Sequence, residues 1–170
     1  AVQRGVTVYL LLDGFGSQNL SREAIDSMLQ AGIKILIFRP EFLFARPGRY
    51  RLRRMHRKLA MIDARTAFVG GINIIDDEDN PEHLTPRFDY AVAITGPLLL
   101  QIHRAIKHLW MLVAWAHLKK RWVTPHVVKP MNIHCGNHKA AFVIRDNWRH
   151  RHDIEHAYLE AINQAKTEII

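Results

Sequence analysis

The side chains best suited to chemistry lie in one short stretch, residues 54–73. His56 and Lys58 are two residues apart and lead into a run of apolar residues. Side chains on a β-strand alternate between faces, so an imidazole and an ammonium at this spacing point the same way. A neutral imidazole can attack phosphorus, and an ammonium beside it can hold phosphate oxygens as charge develops. The pair therefore predicts a site that binds and attacks a phosphate group.

Other residues of the stretch suit the same chemistry. Gly70 and Gly71 allow the backbone to approach a ligand closely, and Asn73 offers a side-chain amide donor. Arg54 and Arg57 belong to a dense basic run, and clustered guanidinium groups can make bidentate contacts with phosphates. We therefore count Asn73 among the candidate catalytic residues and the other four as candidate substrate-binding residues. A solvated surface loop without a specific ligand is the competing interpretation of the arginines.

Two apolar runs in this stretch predict a β-hairpin. They are Leu59–Ile62 and Thr66–Val69, and the polar segment Asp63–Arg65 separates them. At such a turn an aspartate caps backbone amides, so we interpret Asp63 as a supporting residue of the site.

The elements before the hairpin predict an α/β fold. Val6–Leu12 is a near-continuous apolar run of strand length, and Ile33–Phe38 is another. Between them a helix is predicted from its N-cap at Ser21 to Gly32. This order is typical of an α/β sheet covered by helices. The loop Asp13–Ser17 follows the first strand at the sheet edge where active sites lie, although an ordinary glycine turn explains it equally well.

The later elements continue the same alternation. A strand is predicted at Phe88–Ile94, followed by an amphipathic helix at Pro97–Leu118 whose charged residues argue against a transmembrane segment. Residues 124–139 are predicted to be a connector, followed by a strand at Ala140–Ile144 and a helix at His152–Ala165. The last helix is predicted to bury Ile154, Tyr158, Leu159 and Ile162.

The composition is that of an ordinary globular domain with a basic surface. The chain has 170 residues, 48% of them hydrophobic and 24% charged, with a net charge of +8. Such a charge predicts attraction to phosphate backbones or acidic lipid headgroups. Trp110, Trp115 and the basic residues 119–121 are typical of interfacial membrane segments, but core tryptophans before a basic helix end are the preferred interpretation.

The motif as a whole resembles the signature of the phospholipase D superfamily. His-x-Lys, four residues, Asp, six residues and Gly-Gly-x-Asn occur here at the spacing of that signature. Five short segments are similar to segments of bacterial cardiolipin synthases, closest to the B type, namely Arg53–Lys58, Ile62–Arg65, Ala67–Gly71, Asp89–Val92 and Ile144–Asp146. The resemblance implies an α/β fold with a mixed sheet flanked by helices.

The resemblance also implies a reaction and roles for the site residues. Bacterial cardiolipin synthases join two phosphatidylglycerol molecules through a phosphohistidine intermediate, without a metal or an organic cofactor. His56 would be either the nucleophile or the general acid. Lys58 and Asn73 would bind phosphate oxygens, and Asp89 would orient the imidazole.

Both ends of the sequence look cut, so the resemblance implies a piece of a longer enzyme. Residues 1–123 would be the first catalytic half, 124–139 a linker and 140–170 the start of a second half that carries the other motif. The piece alone is then expected to be inactive. The expected partners are that second half, phosphatidylglycerol and an anionic membrane surface, with peripheral attachment to the cytoplasmic side of a bacterial inner membrane and no nucleic acid.

Two alternatives remain at this stage. One is a homodimeric nuclease of the same superfamily that uses one motif from each copy, which suits the basic charge. The other is a membrane-binding module without catalytic activity.

Overall fold

The computed structural model describes residues 1–39, 55–74, 88–118, 129–134, 136–146 and 150–169. The chain divides into two compact units, residues 1–133 and 134–170. The helices and strands, in chain order, are β1 (Tyr9–Asp13), α1 (Arg22–Gln30), β2 (Lys34–Phe38), β3 (Lys58–Ile62), β4 (Thr66–Gly70), β5 (Ala91–Ile94), α2 (Leu99–Ala116) and α3 (Asp153–Gln164). The α/β class predicted from the sequence is confirmed.

The first unit opens with the predicted β-α-β arrangement. Strands β1 and β2 are parallel, with Tyr9 paired to Lys34 and Asp13 to Phe38. Helix α1 connects them, and the Ser21 hydroxyl caps it by accepting a 3.1 Å hydrogen bond from the Ala24 amide. The parallel pair places the carboxyl ends of both strands at one edge.

Helix α2 packs on this parallel pair. Its buried residues Trp110, Val113 and Ala114 form one apolar cluster with Leu36 of β2, and Tyr9 packs against the same cluster. The rings of Tyr9 and Trp110 meet edge to face, with centroids 5.1 Å apart. The helix is therefore an amphipathic, packed element, as predicted.

The predicted hairpin is present and belongs to a second sheet. Strand β4 pairs antiparallel with both β3 and β5, in the order β3-β4-β5. Asp63 and Ala64 both adopt positive φ angles, 49° and 52°, and the Arg65 amide donates to the Ile62 carbonyl at 3.0 Å. Positive φ at both central residues gives the turn the twist that a tight hairpin needs.

The tryptophans of α2 have different environments. Trp110 is 4% exposed, whereas Trp115 is 72% exposed. Core packing is therefore the correct interpretation for Trp110 only. The basic residues 119–121 lie outside the described residues. None of the helices in the described part of the chain combines the length and the apolarity needed to cross a membrane.

Two predictions for the second unit are wrong. Residues 140–144 form no strand, and α3 has no buried residue. The side chains expected to be buried are between 37% and 68% exposed, namely Ile154, Tyr158, Leu159 and Ile162. A strand requires a neighbour to pair with, and a helix needs an apolar surface to cover. The described residues of this unit contain no strand that could pair with residues 140–144 or offer an apolar surface to α3.

Candidate active site

The candidate site lies at one end of the β3-β4-β5 sheet. Lys58, Gly70 and Ala91 are in register across the three strands. Strands β3 and β5 run in the same direction because both are antiparallel to β4. His56 and Asp89 each lie two residues before the residue of β3 or β5 that pairs with Gly70. The fold therefore brings both to the end of the sheet where β4 finishes.

His56 and Lys58 are in direct contact. The Lys58 Nζ and the His56 Nε2 are 2.8 Å apart. A charged ammonium has only donors, so it donates here and the imidazole Nε2 accepts. With Nε2 as the acceptor, the neutral form of the ring would carry its proton on Nδ1. His56 is exposed and Lys58 half-buried, so a phosphate can reach both. The ammonium has two further protons that can bind phosphate oxygens.

Gly70 allows β4 and β5 to come close together. A Cβ at this position would overlap the Tyr90 carbonyl oxygen and the Ala91 Cα atom, both of them backbone. The glycine is therefore required by the packing of the sheet at the level of Lys58. Its predicted contact with substrate stays a prediction.

Gly71 makes room for a side chain of the candidate site. Its amide donates to the Tyr90 carbonyl at 2.8 Å, and a Cβ built on it would lie 3.0 Å from the Asp89 Oδ1. The missing side chain leaves space that the Asp89 carboxylate uses. Among the described residues no hydrogen bond joins Asp89 to His56, and the predicted orienting role of Asp89 stays a prediction.

The other predicted residues are more scattered. Asn73 is exposed and follows the end of β4, and Arg57 is half-buried between His56 and Lys58 in the chain. Asp63 lies at the hairpin turn, just beyond the end of β3 opposite Lys58, and the strand between them is about 13 Å long. Asp63 therefore belongs to the turn and not to the cluster around His56. Arg54 lies outside the described residues.

Asp13 is a residue whose role sequence reasoning did not find. Its Oδ1 accepts a hydrogen bond from the Met55 amide at 2.9 Å, and its Oδ2 accepts one from the Gly16 amide, also at 2.9 Å. Met55 directly precedes His56, so the carboxylate connects the end of β1 to the start of the candidate site. The available signal was an acidic residue at the carboxyl end of an apolar strand.

The fold and the histidine-lysine pair define a phospholipase D-like domain. The family model described as "Cardiolipin synthase, PLD-like domain" matches residues 1–111, and the chain belongs to this family. The resemblance found in the sequence is confirmed.

Curated relatives of this chain are named cardiolipin synthases, in agreement with the description of the family model. Cardiolipin synthase B of Salmonella typhi is 39% identical over 173 aligned residues, covering 100% of this chain and 40% of the relative. Cardiolipin synthase B of Escherichia coli strain K12 is 36% identical over 172 residues, with the same two coverages of 100% and 40%. The minor cardiolipin synthase ClsB of Bacillus subtilis is 37% identical over 76 residues, covering 44% of this chain and 19% of that protein. The chain thus spans about 40% of the length of the B-type relatives. No solved structure matches it.

Proposed function

We propose that this chain is the first catalytic part of a phosphatidyltransferase that forms cardiolipin from two phosphatidylglycerol molecules. The observation that supports this most directly is the contact between the His56 Nε2 and the Lys58 Nζ, 2.8 Å apart at an accessible sheet end. A histidine nitrogen beside an ammonium suits attack at phosphorus. The names of the relatives supply the substrate class.

The proposed reaction has two steps that share one intermediate. A histidine nitrogen attacks the phosphorus of the first phosphatidylglycerol, the P–N bond forms, and the P–O bond to the headgroup glycerol breaks. A second histidine gives its proton to the leaving alkoxide. It then removes the proton from the hydroxyl of the second phosphatidylglycerol, whose oxygen attacks phosphorus as the P–N bond breaks. His56 takes one of these two roles.

Lys58 supports both steps by holding the nonbridging phosphate oxygens. Its ammonium donates to the His56 Nε2. A bound phosphate would offer the ammonium a charged acceptor, which forms the stronger hydrogen bond. Asn73 would donate to the same phosphate, and Asp89 would accept from the imidazole Nδ1 and orient the ring. Arg54 and Arg57 would attract the headgroup.

The second histidine is proposed to come from a second half of the protein with its own His-x-Lys motif. The proposed location is the cytoplasmic side of a bacterial inner membrane, with peripheral attachment. The net charge of +8 supports attraction to anionic lipid.

A turnover assay tests the proposal. The extended protein, meaning this chain continued through the second motif, is mixed with phosphatidylglycerol vesicles, and cardiolipin and glycerol are measured. His56→Ala should abolish both products. His108→Ala, which removes an exposed histidine from α2, should leave them unchanged. The 170-residue chain alone should make neither product.

Other outcomes would select the alternatives. DNA cleavage by a dimer of the 170-residue chain would replace the synthase with a single-motif nuclease. Binding to anionic vesicles by an extended protein that never turns over would indicate a membrane-binding module.

A further inference from the structure

We propose that Asp13 is a positioning residue for His56. Its carboxylate holds the backbone amide that directly precedes the histidine, and thereby fixes where the imidazole sits relative to Lys58. The inference deepens the proposed function because it concerns the same site. It requires chemistry at His56 but does not depend on which phosphodiester is the substrate.

The start of the candidate site receives little support from its own sheet. The described ladder between β3 and β4 begins at Lys58, so His56 precedes the paired part of the strand. The side chain of His56 is also exposed. The hydrogen bond from the Met55 amide to the Asp13 Oδ1, 2.9 Å long, joins this segment to a residue 42 positions earlier in the chain. The backbone next to the histidine is thus held by a distant element.

Asp13 is itself firmly held. It is the last residue of β1, paired with Phe38 of β2. Its carbonyl accepts from the Ser17 hydroxyl at 2.7 Å, and the next amide, that of Gly14, donates to the Phe38 carbonyl at 2.9 Å. A Cβ on Gly14 would overlap the backbone of residue 39. The carboxylate therefore extends from the rigid end of the parallel sheet.

Both carboxylate oxygens have a backbone donor. One accepts from Met55 and the other from Gly16. An ionised carboxylate is acceptor-only and suits two N–H groups, whereas an asparagine would turn its NH2 group toward one of them. Asparagine should therefore keep one hydrogen bond and lose the other. Alanine should lose both.

Misplacing a reacting group by about 1 Å can reduce the rate by about 100-fold. We expect Asp13→Ala in the extended protein to lower kcat about 100-fold and Asp13→Asn about 10-fold, with KM changed less than about 2-fold, because the chemistry is displaced while the lipid contacts stay.

Two variants are matched controls. Ser17→Ala removes a hydrogen bond from the same loop but leaves the bond to Met55, and the Ser17 amide still donates to the Asp13 carbonyl. Asp26→Asn removes an equal charge from an exposed position of α1. Both should have wild-type kcat.

A second measurement separates positioning from general stability. Hydrogen exchange of the Met55 amide, followed by NMR in the extended protein, should accelerate in Asp13→Ala and stay unchanged in Ser17→Ala, because only the first loses the acceptor of that amide. Wild-type kcat in Asp13→Ala, a lowered kcat with unchanged Met55 exchange, or an equal loss in Ser17→Ala would each overturn the inference.

The inference and the proposed function can fail separately. Cleavage of bis(p-nitrophenyl) phosphate is measured beside the lipid assay, because it needs chemistry at His56 but no phosphatidylglycerol. If wild type cleaves this diester but makes no cardiolipin, the lipid assignment fails. Asp13 keeps its role in that case if Asp13→Ala cleaves the diester about 100-fold more slowly and exchanges its Met55 amide faster.

Discussion

Substituting Gly70 tests whether the packing of β4 against β5 holds the candidate site together. A Cβ at Gly70 would overlap the Tyr90 carbonyl oxygen and the Ala91 Cα atom. Neither atom belongs to a side chain that could rotate away, so Gly70→Ala must separate the two strands. The substitution acts at the level of Lys58, which pairs with Gly70.

The magnitude follows from comparison with two other glycines. Overpacking costs about 1–3 kcal/mol, and contacts made only by backbone belong at the upper end of that range. Gly5 has a φ of +82°, but a Cβ there meets no atom within 4 Å among the described residues, so Gly5→Ala should cost about 1 kcal/mol from backbone strain alone. Gly71→Ala meets the Asp89 carboxylate first, which can rotate, so stability should fall by less than about 1 kcal/mol.

Urea unfolding of the 170-residue chain, followed by circular dichroism, measures the three free energies. Gly70→Ala should lower the free energy of unfolding by about 3 kcal/mol, equivalent to a decrease in Tm of about 6–12 °C. Amides of β4 and β5 should exchange faster, while those of β1 and β2 keep their protection. If Gly70→Ala is no more destabilising than Gly5→Ala, the close approach of the strands is not what requires the glycine.

Three further tests use substitutions elsewhere in the chain. Lys58→Met keeps the aliphatic stem but removes the ammonium, so kcat of the extended protein should fall about 100- to 1000-fold, whereas Lys107→Met, on α2, should leave it unchanged. Ser21→Ala removes the cap of α1 and should lower the free energy of unfolding by about 1 kcal/mol in urea, and a change below about 0.3 kcal/mol would show that the cap contributes little. Burial and the nearby Lys107 hold the pKa of His103 below its usual 6.5. Because His103 of the unfolded chain then takes up its proton at a higher pH than in the folded chain, the free energy of unfolding should decrease as the pH falls through 6.5. His103→Gln should reduce this decrease, and an unchanged pH dependence of the urea midpoint would contradict the assignment.

Local sequence signals predicted much of the first unit. The hairpin of β3 and β4 could be located because two short apolar runs flank a polar turn, and α1 because Ser21 is a favourable cap. The contact between His56 and Lys58 follows from their spacing on an extended chain. Each of these signals lies within a few residues of the structure that it predicts.

The predictions that failed depended on distant partners. The apolar residues 140–144 have strand character, but a strand forms only against a neighbour, and apolar spacing in α3 does not supply a surface to cover it. The link from Asp13 to Met55 joins residues 42 positions apart, and no local pattern encodes such a pairing. Tertiary contacts decide both cases.

The contact between Lys58 and His56 also has a consequence for the way the proposed site would respond to a bound phosphate. The ammonium of Lys58 lies 2.8 Å from the His56 Nε2, where it engages the lone pair of that nitrogen. In the proposed mechanism, a bound phosphate would draw the ammonium away and free the Nε2 for either of the two roles proposed for His56.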